Sequence, residues 1–300
     1  MIDLHMHSRY SDDGEFTPEC LVFRCKEQGI RIVSVTDHNC VRANQEARKA
    51  AESLGLSYIS GGEFDCMYHG RNFHMLGYGI DCENEAFAKL ERAVMDQSRR
   101  ASLEMLEKTR KLGFSVTEEE MDRVSSEAFW KGKWTGEMFG EVLLSKPEYE
   151  DHPLLKPYRK GGERSDNPYV NFYWDFYSQG KPCHGSISYP SMEEVADWIH
   201  GAGGLSVLAH PGANLKGREK ELEELLALEL DGIEVFSSYH SEAQEKYFLE
   251  TAERLGKLVT CGSDFHGKTK PAVFLGEAAA HSGGQAGEIT VHALKEGGIL

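Results

Sequence analysis

Histidines and carboxylates recur in this sequence at spacings that suit metal chelation. The segment D-L-H-M-H carries His5 and His7. Side chains two apart on a strand share a face, so both imidazoles can reach one ion. S-D-D-G follows with Asp12 and Asp13, then T-D-H-N with His38, G-G-E-F-D with Glu63 and N-F-H-M-L-G-Y with His74. Far downstream, L-A-H-P-G supplies His210, and G-S-D-F-H-G supplies Asp264 and His266, again two apart. One H-x-H is common by chance. Repetition of such motifs at the ends of strands is not, because functional groups of parallel α/β folds collect there. Nitrogen and oxygen donors without thiolates suit zinc, manganese or iron. Asp37 and Asp65 flank these positions and are read as carboxylates that orient imidazoles.

The other titratable groups are set apart from this constellation. His69, His152, His200, His240, His281 and His292 have no partners at ligand spacing and are read as surface residues. His184, beside Cys183, is a candidate substrate contact. The seven cysteines are scattered, odd in number and form no C-x-x-C pair, which excludes a zinc ribbon or a disulfide framework.

The elements that must position these residues alternate between strand and helix. Ile2–His7, Ile30–Thr36 and Leu56–Gly62 read as strands. Helices are expected from the Thr17-Pro18 start to Gly29, and from Ala43 to Leu54. Downstream, Ser191 and Glu194 form a capping box for a helix through His200. Strands at Leu205–His210, Gly232–Phe236 and Leu258–Gly262 then alternate with helices at Arg218–Leu228 and Glu242–Leu255. This rhythm predicts βα units around a parallel sheet. Residues 83–183 break it. Phe87, Leu90, Val94, Ala101 and Met105 mark a long amphipathic helix. Aromatic and basic residues follow without strand rhythm, and the stretch reads as a mostly helical insertion. The glycine-rich 281–287 reads as a loop.

Length and composition fit a globular protein. The chain has 300 residues, 40% hydrophobic and 27% charged. No apolar run reaches the ~20 residues of a membrane span, and the start of the chain lacks the pattern of a signal peptide, so a cytoplasmic location is expected. The formal charge of −16 opposes contact with nucleic acid or an anionic membrane.

The ordered set H-x-H, S-D-x-G, T-D-H-N, G-x-E, an isolated His, A-H-P and G-S-D-x-H resembles the PHP (polymerase and histidinol phosphatase) family. The resemblance covers about 1–82 and 184–275. It implies a distorted (β/α)7 TIM-like barrel over 1–82 and 184–300, with 83–183 as an inserted substrate-specificity subdomain. It also implies about three divalent ions of manganese, iron or zinc. His5, His7, Glu63 and Asp264 would hold one ion. Glu63 would bridge to a second, held also by His74 and His210, and Asp12, His38 and His266 would hold the third. Asp13 stands where the motif often has glycine and is given no ligand role.

The insertion is placed like that of the family branch that hydrolyses small phosphorylated metabolites. K-G-K-W-T-G (131–136) stands where that branch often has Arg-x-His, which turns the expectation away from nucleoside monophosphates. The expected activity is hydrolysis of a cyclic phosphodiester or phosphomonoester by metal-bound hydroxide, with Glu63, Asp264 and His210 as catalytic residues. Lys131, Lys133, Arg159, Lys160, Arg164 and His184 are the candidates for holding the substrate, and Trp130, Trp134 and Tyr158 for walling the pocket. The alternatives are an amidohydrolase acting on C–N bonds and a proofreading nuclease module like the PHP domains fused to DNA polymerases.

Overall fold

The computed structural model describes residues 1–126, 128–281 and 284–300. Strand β1 (Ile2–Asp3), strand β2 (Ile32–Val33) and strand β3 (Ser57–Tyr58) form a parallel sheet in that order. Helices α1 (Pro18–Glu27) and α2 (Ala43–Leu54) are its crossovers. The Thr17 hydroxyl accepts from the Cys20 amide and Pro18 fills the first turn, so α1 starts where its cap dictates. Helix α2 stops at Gly55, whose φ of 69° is left-handed.

A second sheet runs β4-β5-β6-β7-β8, with β4 (Gly61–Tyr68), β5 (Arg71–Tyr78), β6 (Leu205–Leu208), β7 (Gly232–Ser237) and β8 (Leu258–Gly262). Here the expectation of a uniformly parallel sheet fails. Strand β5 is antiparallel to both β4 and β6. The cause is a two-residue turn at His69 (φ 46°) and Gly70 (φ 76°). Two successive left-handed residues match the twist of a hairpin. The strand expected over Leu56–Gly62 is accordingly broken, and Glu63 and His74 lie within hairpin strands instead of beyond strand ends.

The two sheets meet at isolated parallel bridges, Met6 with Phe265 and His38 with Glu63. Among the described residues no sheet closes on itself. Regular pairing in the first sheet spans only two residues per strand, and His5 and His7 follow β1 as buried residues. The main hydrophobic core lies beneath, between the sheets and helices, with Leu4, Phe64, Met75, Tyr78, Val207 and Ile233 fully buried.

Residues 83–183 carry α3 (Glu85–Lys111), α4 (Glu118–Val124), α5 (Gly136–Ser145) and α6 (Pro168–Phe176). Phe87, Leu90, Val94, Ala101 and Met105 are the buried stripe of α3. This stretch has a core cluster of its own, built on Phe114, Met121, Trp134, Phe139, Tyr158 and Phe172. Trp134 and Tyr158 are thus packing residues and not pocket walls. Their polar atoms are satisfied inside the cluster, by Asp122 Oδ1 at 3.2 Å and Asp175 Oδ2 at 2.6 Å.

The remaining helices are α7 (Met192–Gly201), α8 (Pro211–Leu215), α9 (Leu222–Leu226), α10 (Glu242–Leu255), α11 (Glu277–His281) and α12 (Gln285–Glu296). The helix expected over Arg218–Leu228 is a 3-10 turn at Glu219–Glu221 followed by α9. The loop expected over 281–287 is helical from Gln285. Ser282 and Gly283 lie outside the described residues. All seven cysteines are free thiols. No helix among the described residues is long and apolar enough to cross a membrane.

Candidate metal centre

The hairpin of β4 and β5 supplies the middle of the site. Asp65 pairs with His74 across the ladder, and Glu63 lies two residues from Asp65, so all three share one face. Around Glu63 stand five imidazoles. Its Oε1 lies 2.9 Å from His74 Nδ1 and 2.9 Å from His210 Nε2. Its Oε2 lies 3.2 Å from His5 Nε2, 3.2 Å from His7 Nε2 and 3.1 Å from His38 Nδ1. The two oxygens therefore face different histidines, the arrangement a bridging carboxylate needs. Asp264 Oδ1 completes one group, 3.3 Å from His5 Nε2 and 3.1 Å from His7 Nε2.

Among the described residues, three sets of donor atoms lie close enough to share an ion: His5, His7, Glu63 and Asp264; His38, Glu63 and His74; and His7, Asp13, His38 and His266. The structure brings Asp13 into the third set, with Oδ2 3.3 Å from His266 Nε2. The Asp12 carboxylate instead pairs with Lys133. A local reason is visible. Both acids are consecutive on one tight loop, so one can face the histidines while the other faces 83–183.

Eight buried side-chain atoms here lack any hydrogen-bond partner: His5 Nε2, His7 Nε2, His38 Nδ1, His266 Nε2, Glu63 Oε2, Asp264 Oδ1, Asp12 Oδ1 and Asp13 Oδ1. An unsatisfied buried polar atom costs about 1–3 kcal/mol. Several of them face one another at 3.1–3.3 Å outside hydrogen-bonding alignment, so the cluster costs on the order of several kcal/mol unless a cation joins them. A packed core would not tolerate this. A set of cation ligands would, because the ion takes the lone pairs. The donor set of imidazole and carboxylate fits divalent zinc, manganese or iron.

Electrostatics agree. Burial acts to raise the Glu63 carboxyl, yet His5, His74 and His38 hold it well below the usual range. Burial lowers the affinity of His5 and His74 for protons, but the carboxylates overcome it and both are raised well above their usual value. A site poised between protons and carboxylates exchanges those protons for a metal. Backbone strain collects here too. His210 (φ 23°), Asp264 (φ 57°) and Asn39 (φ 51°), next to His38, are left-handed without being glycine.

Supporting groups orient the imidazoles. Asp65 contacts His74 Nε2 at 3.2 Å and accepts from Asn39 and Asn72. Asp37 acts one step removed: it accepts from Ser11 Oγ at 3.0 Å, and Ser11 Oγ lies 2.9 Å from His7 Nδ1. Glu234 was not singled out from the sequence. It is fully buried, with Oε1 3.0 Å from His5 Nδ1 and Oε2 accepting from the His210 amide at 2.9 Å. Its signal was available, an acid in the middle of the apolar strand G-I-E-V-F. Lys270, which donates to Asp264 Oδ2 at 2.5 Å, had no such signal.

Of the expected substrate-binding residues, Lys133 reaches the centre through Asp12. Lys131 is tied to the Ser126 carbonyl. Arg159 is held by the Leu144 and Tyr149 carbonyls and Glu150. Arg164 pairs with Asp175, Lys160 is exposed, and His184 faces Lys108 and Glu104. Other aromatic residues lie within electrostatic reach of the centre. Burial and then neighbouring carboxylates, Asp65 and Asp13 among them for Tyr173 and Asp65 for Tyr189, raise the pKa of both phenols. Tyr239 packs 5.3 Å from the His210 ring. Glu137 at the start of α5 is buried, and burial and Asp13 push its carboxyl up to about 8. Two histidines read as surface residues are engaged: His240 Nε2 accepts from the Gly212 amide, and His200 pairs with Asp231 at 2.8 Å.

The profile of the PHP domain matches residues 3–159. The chain belongs to the PHP domain family. The 3',5'-nucleoside bisphosphate phosphatase of Chromobacterium violaceum is 30% identical over 88% of this chain and 87% of its own length. The phosphoribosyl 1,2-cyclic phosphate 1,2-diphosphodiesterase of Eggerthella lenta is 28% identical over 89% and 94%. A 5'-3' exoribonuclease of Haemophilus influenzae is 25% identical over 88% and 89%. Among solved structures, one described as a metal-dependent phosphoesterase from Bifidobacterium adolescentis is 28% identical with a TM-score of 0.74, covering 92% of this chain and 90% of that one. One described as an amidohydrolase from Chromobacterium violaceum, with bound sulfate, is 27% identical with a TM-score of 0.75, covering 91% and 90%.

Proposed function

We propose that this chain is a metal-dependent hydrolase of phosphate esters whose substrate is a small phosphorylated metabolite, a cyclic phosphodiester or a phosphomonoester. The observation that carries the reading is the convergence of seven buried side-chain atoms without hydrogen-bond partners, from His5, His7, Asp13, His38, Glu63, Asp264 and His266, on one cluster. In this reading the two sheets work as one distorted barrel, and residues 83–183 act as the specificity subdomain. His5, His7, Glu63 and Asp264 would hold one ion, His74 and His210 would hold a second with Glu63, and His38 and His266 would hold a third with Asp13 in place of Asp12.

Divalent ions held there would lower the pKa of water and neutralise phosphoryl charge. The chain's own residues do the rest. Glu63 fixes the spacing of the two neighbouring sets by giving each an oxygen. Asp65, Glu234 and the Ser11–Asp37 pair keep His74, His5 and His7 in the orientation that points a ring nitrogen inward. Lys133, held by Asp12, presents an ammonium at the rim for a phosphoryl oxygen. Tyr173, Tyr189 and Tyr239 bound the space beside the ligands and limit the size of what enters.

The exoribonuclease relative favours a second reading, in which the scissile phosphate is the end of a polynucleotide. The formal charge of −16 weighs against it, since a polymer meets repulsion along its length. The solved structure described as an amidohydrolase favours a third, C–N bond hydrolysis at the same ligands. One experiment separates them: phosphate release and amide hydrolysis by the metal-loaded protein over cyclic phosphates, sugar and nucleoside monophosphates, single-stranded RNA, amides and lactams. Turnover of the small esters is expected. Turnover of RNA or amides alone overturns the proposal.

A further inference from the structure

An ammonium is built into the cluster of candidate cation ligands. Lys270 follows Asp264 by six residues, in G-K-T-K-P, and is almost fully enclosed. A buried ammonium is costly unless its charge is matched and its donors are taken. Its Nζ donates to Asp264 Oδ2 at 2.5 Å. It also lies 5.1 Å from the centroid of the Tyr239 ring, close enough for the ring face to attract the charge. The same ring packs 5.3 Å from that of His210.

The turn that delivers Lys270 is fixed from both sides. The Lys270 amide closes a 3-10 turn on the Gly267 carbonyl at 3.0 Å. Gly267 has φ 75°, and a Cβ there would lie 2.3 Å from Glu15 Oε2, so the position requires glycine. That Glu15 oxygen accepts from the Lys268 amide at 2.7 Å. Thr269 Oγ1 donates to the Asp13 carbonyl at 2.7 Å. One short turn therefore grips an acidic residue of two donor sets, Asp264 of one and Asp13 of the other. Those two sets share His7.

The oxygens of Asp264 are divided. Oδ1 has no hydrogen-bond partner and lies 3.3 Å from His5 Nε2 and 3.1 Å from His7 Nε2. Oδ2 is taken by Lys270. Glu63 differs, because both of its oxygens face imidazoles. Glu63 can serve two ions, whereas Asp264, with an ammonium on its second oxygen, is limited to one. Asp264 Oδ1 is also 3.5 Å from His266 Nδ1, so the ammonium stands next to the set that contains His266. There it is a fixed positive charge, and like charges oppose one another strongly where little water separates them.

We propose that Lys270 is a positioning residue that confines Asp264 to the ion of His5, His7 and Glu63, and thereby leaves the ion of His7, Asp13, His38 and His266 the weakest held. The inference rests on the proposed metal centre and adds to it an order of occupancy: two ions stay, and the one beside Lys270 exchanges.

The test is calorimetric titration of the chelator-stripped full chain with manganese, with circular dichroism to show an intact fold. Wild type is compared with Lys270→Met and Lys270→Gln, each alone and combined with Asp13→Asn. Both replacements remove the ammonium and differ in polarity, so a fold lost in one is checked in the other. In wild type the last equivalent should bind at least about tenfold more weakly than those before it. In both Lys270 variants that gap should close by about tenfold or more, because Asp264 Oδ2 is released and the opposing charge is gone. A last equivalent detected only in the variants supports the proposal equally. The double variants should keep the equivalent that Asp13→Asn loses by itself, since Asp264 can then serve the second set. A residue that merely supported the fold would produce the opposite sign. Weaker binding of every equivalent in the Lys270 variants, or loss of the same equivalent in the double variants, overturns the proposal and leaves the metal centre standing. A folded wild type that binds less than one equivalent of manganese overturns the metal centre and the proposal with it.

Discussion

Glu234→Gln isolates what an unseen carboxylate does for two ligands at once. Glu234 has no solvent exposure, and its oxygens meet the His5 ring and the His210 amide at 3.0 and 2.9 Å. Glutamine keeps the volume but offers one acceptor in place of two. If its carbonyl meets the His210 amide, its NH2 faces His5 Nδ1. That nitrogen must then accept, the proton moves to Nε2, and the atom aimed at Glu63 and Asp264 can no longer bind a cation. If the amide group turns the other way, two N–H groups face each other at His210, and a buried donor is left unpaired for about 1–3 kcal/mol. Loss of the carboxylate also removes the leading attraction that raises His5 basicity against burial. Either arrangement predicts a 10–100-fold loss of metal affinity, about 1.4–2.7 kcal/mol. The assay is calorimetric titration of the chelator-stripped protein with manganese, alongside circular dichroism to show an intact fold. A variant that binds manganese within about twofold of wild type would refute the reasoning, because an orienting role of this kind has no means of leaving affinity untouched.

Asp13→Asn should cost about one bound metal equivalent, whereas Asp12→Asn should keep full metal content and raise KM by releasing Lys133; elemental analysis with steady-state kinetics decides, and the opposite pattern returns the ligand role to Asp12. Glu63→Ala should reduce kcat more than any single histidine variant, since two sets of donors lose their shared oxygen, and retention of more than about a tenth of wild-type kcat, a loss of roughly 1.4 kcal/mol or less, speaks against bridging. pH should act on the metal-free protein through the same groups. Glu63 lies below its ordinary 4.5, so its contribution is present above 4.5 and lost as pH falls through the depressed value. His5 and His74 lie above their ordinary 6.5, so theirs is full below 6.5 and lost as pH rises through the raised values. Thermal melts in chelator should peak between 4.5 and 6.5 and decline on the alkaline side, while manganese-loaded protein should gain on that side. Parallel curves with and without metal would show that these histidines are not the ligands.

The sequence alone determined the chemistry and most of the elements. Donor type is a property of residues, so H-x-H, T-D-H-N and G-S-D-F-H-G marked candidate nitrogen and oxygen donors before any geometry existed. Caps and stops are equally local, which is why Pro18, Gly55 and Ser191 bound their helices as written. Tertiary structure decided the remainder. A hairpin needs two left-handed residues, and nothing in His69 compels one, so β5 reversed the expected sheet direction. Whether Asp12 or Asp13 faces the histidines depends on Lys133, which lies more than a hundred residues away in sequence. The basic residues of 83–183 looked alike as letters, yet packing sent Arg159 to carbonyls and Arg164 to Asp175. Partnership across the chain is set by which surfaces pack together, and no periodicity or local propensity encodes that.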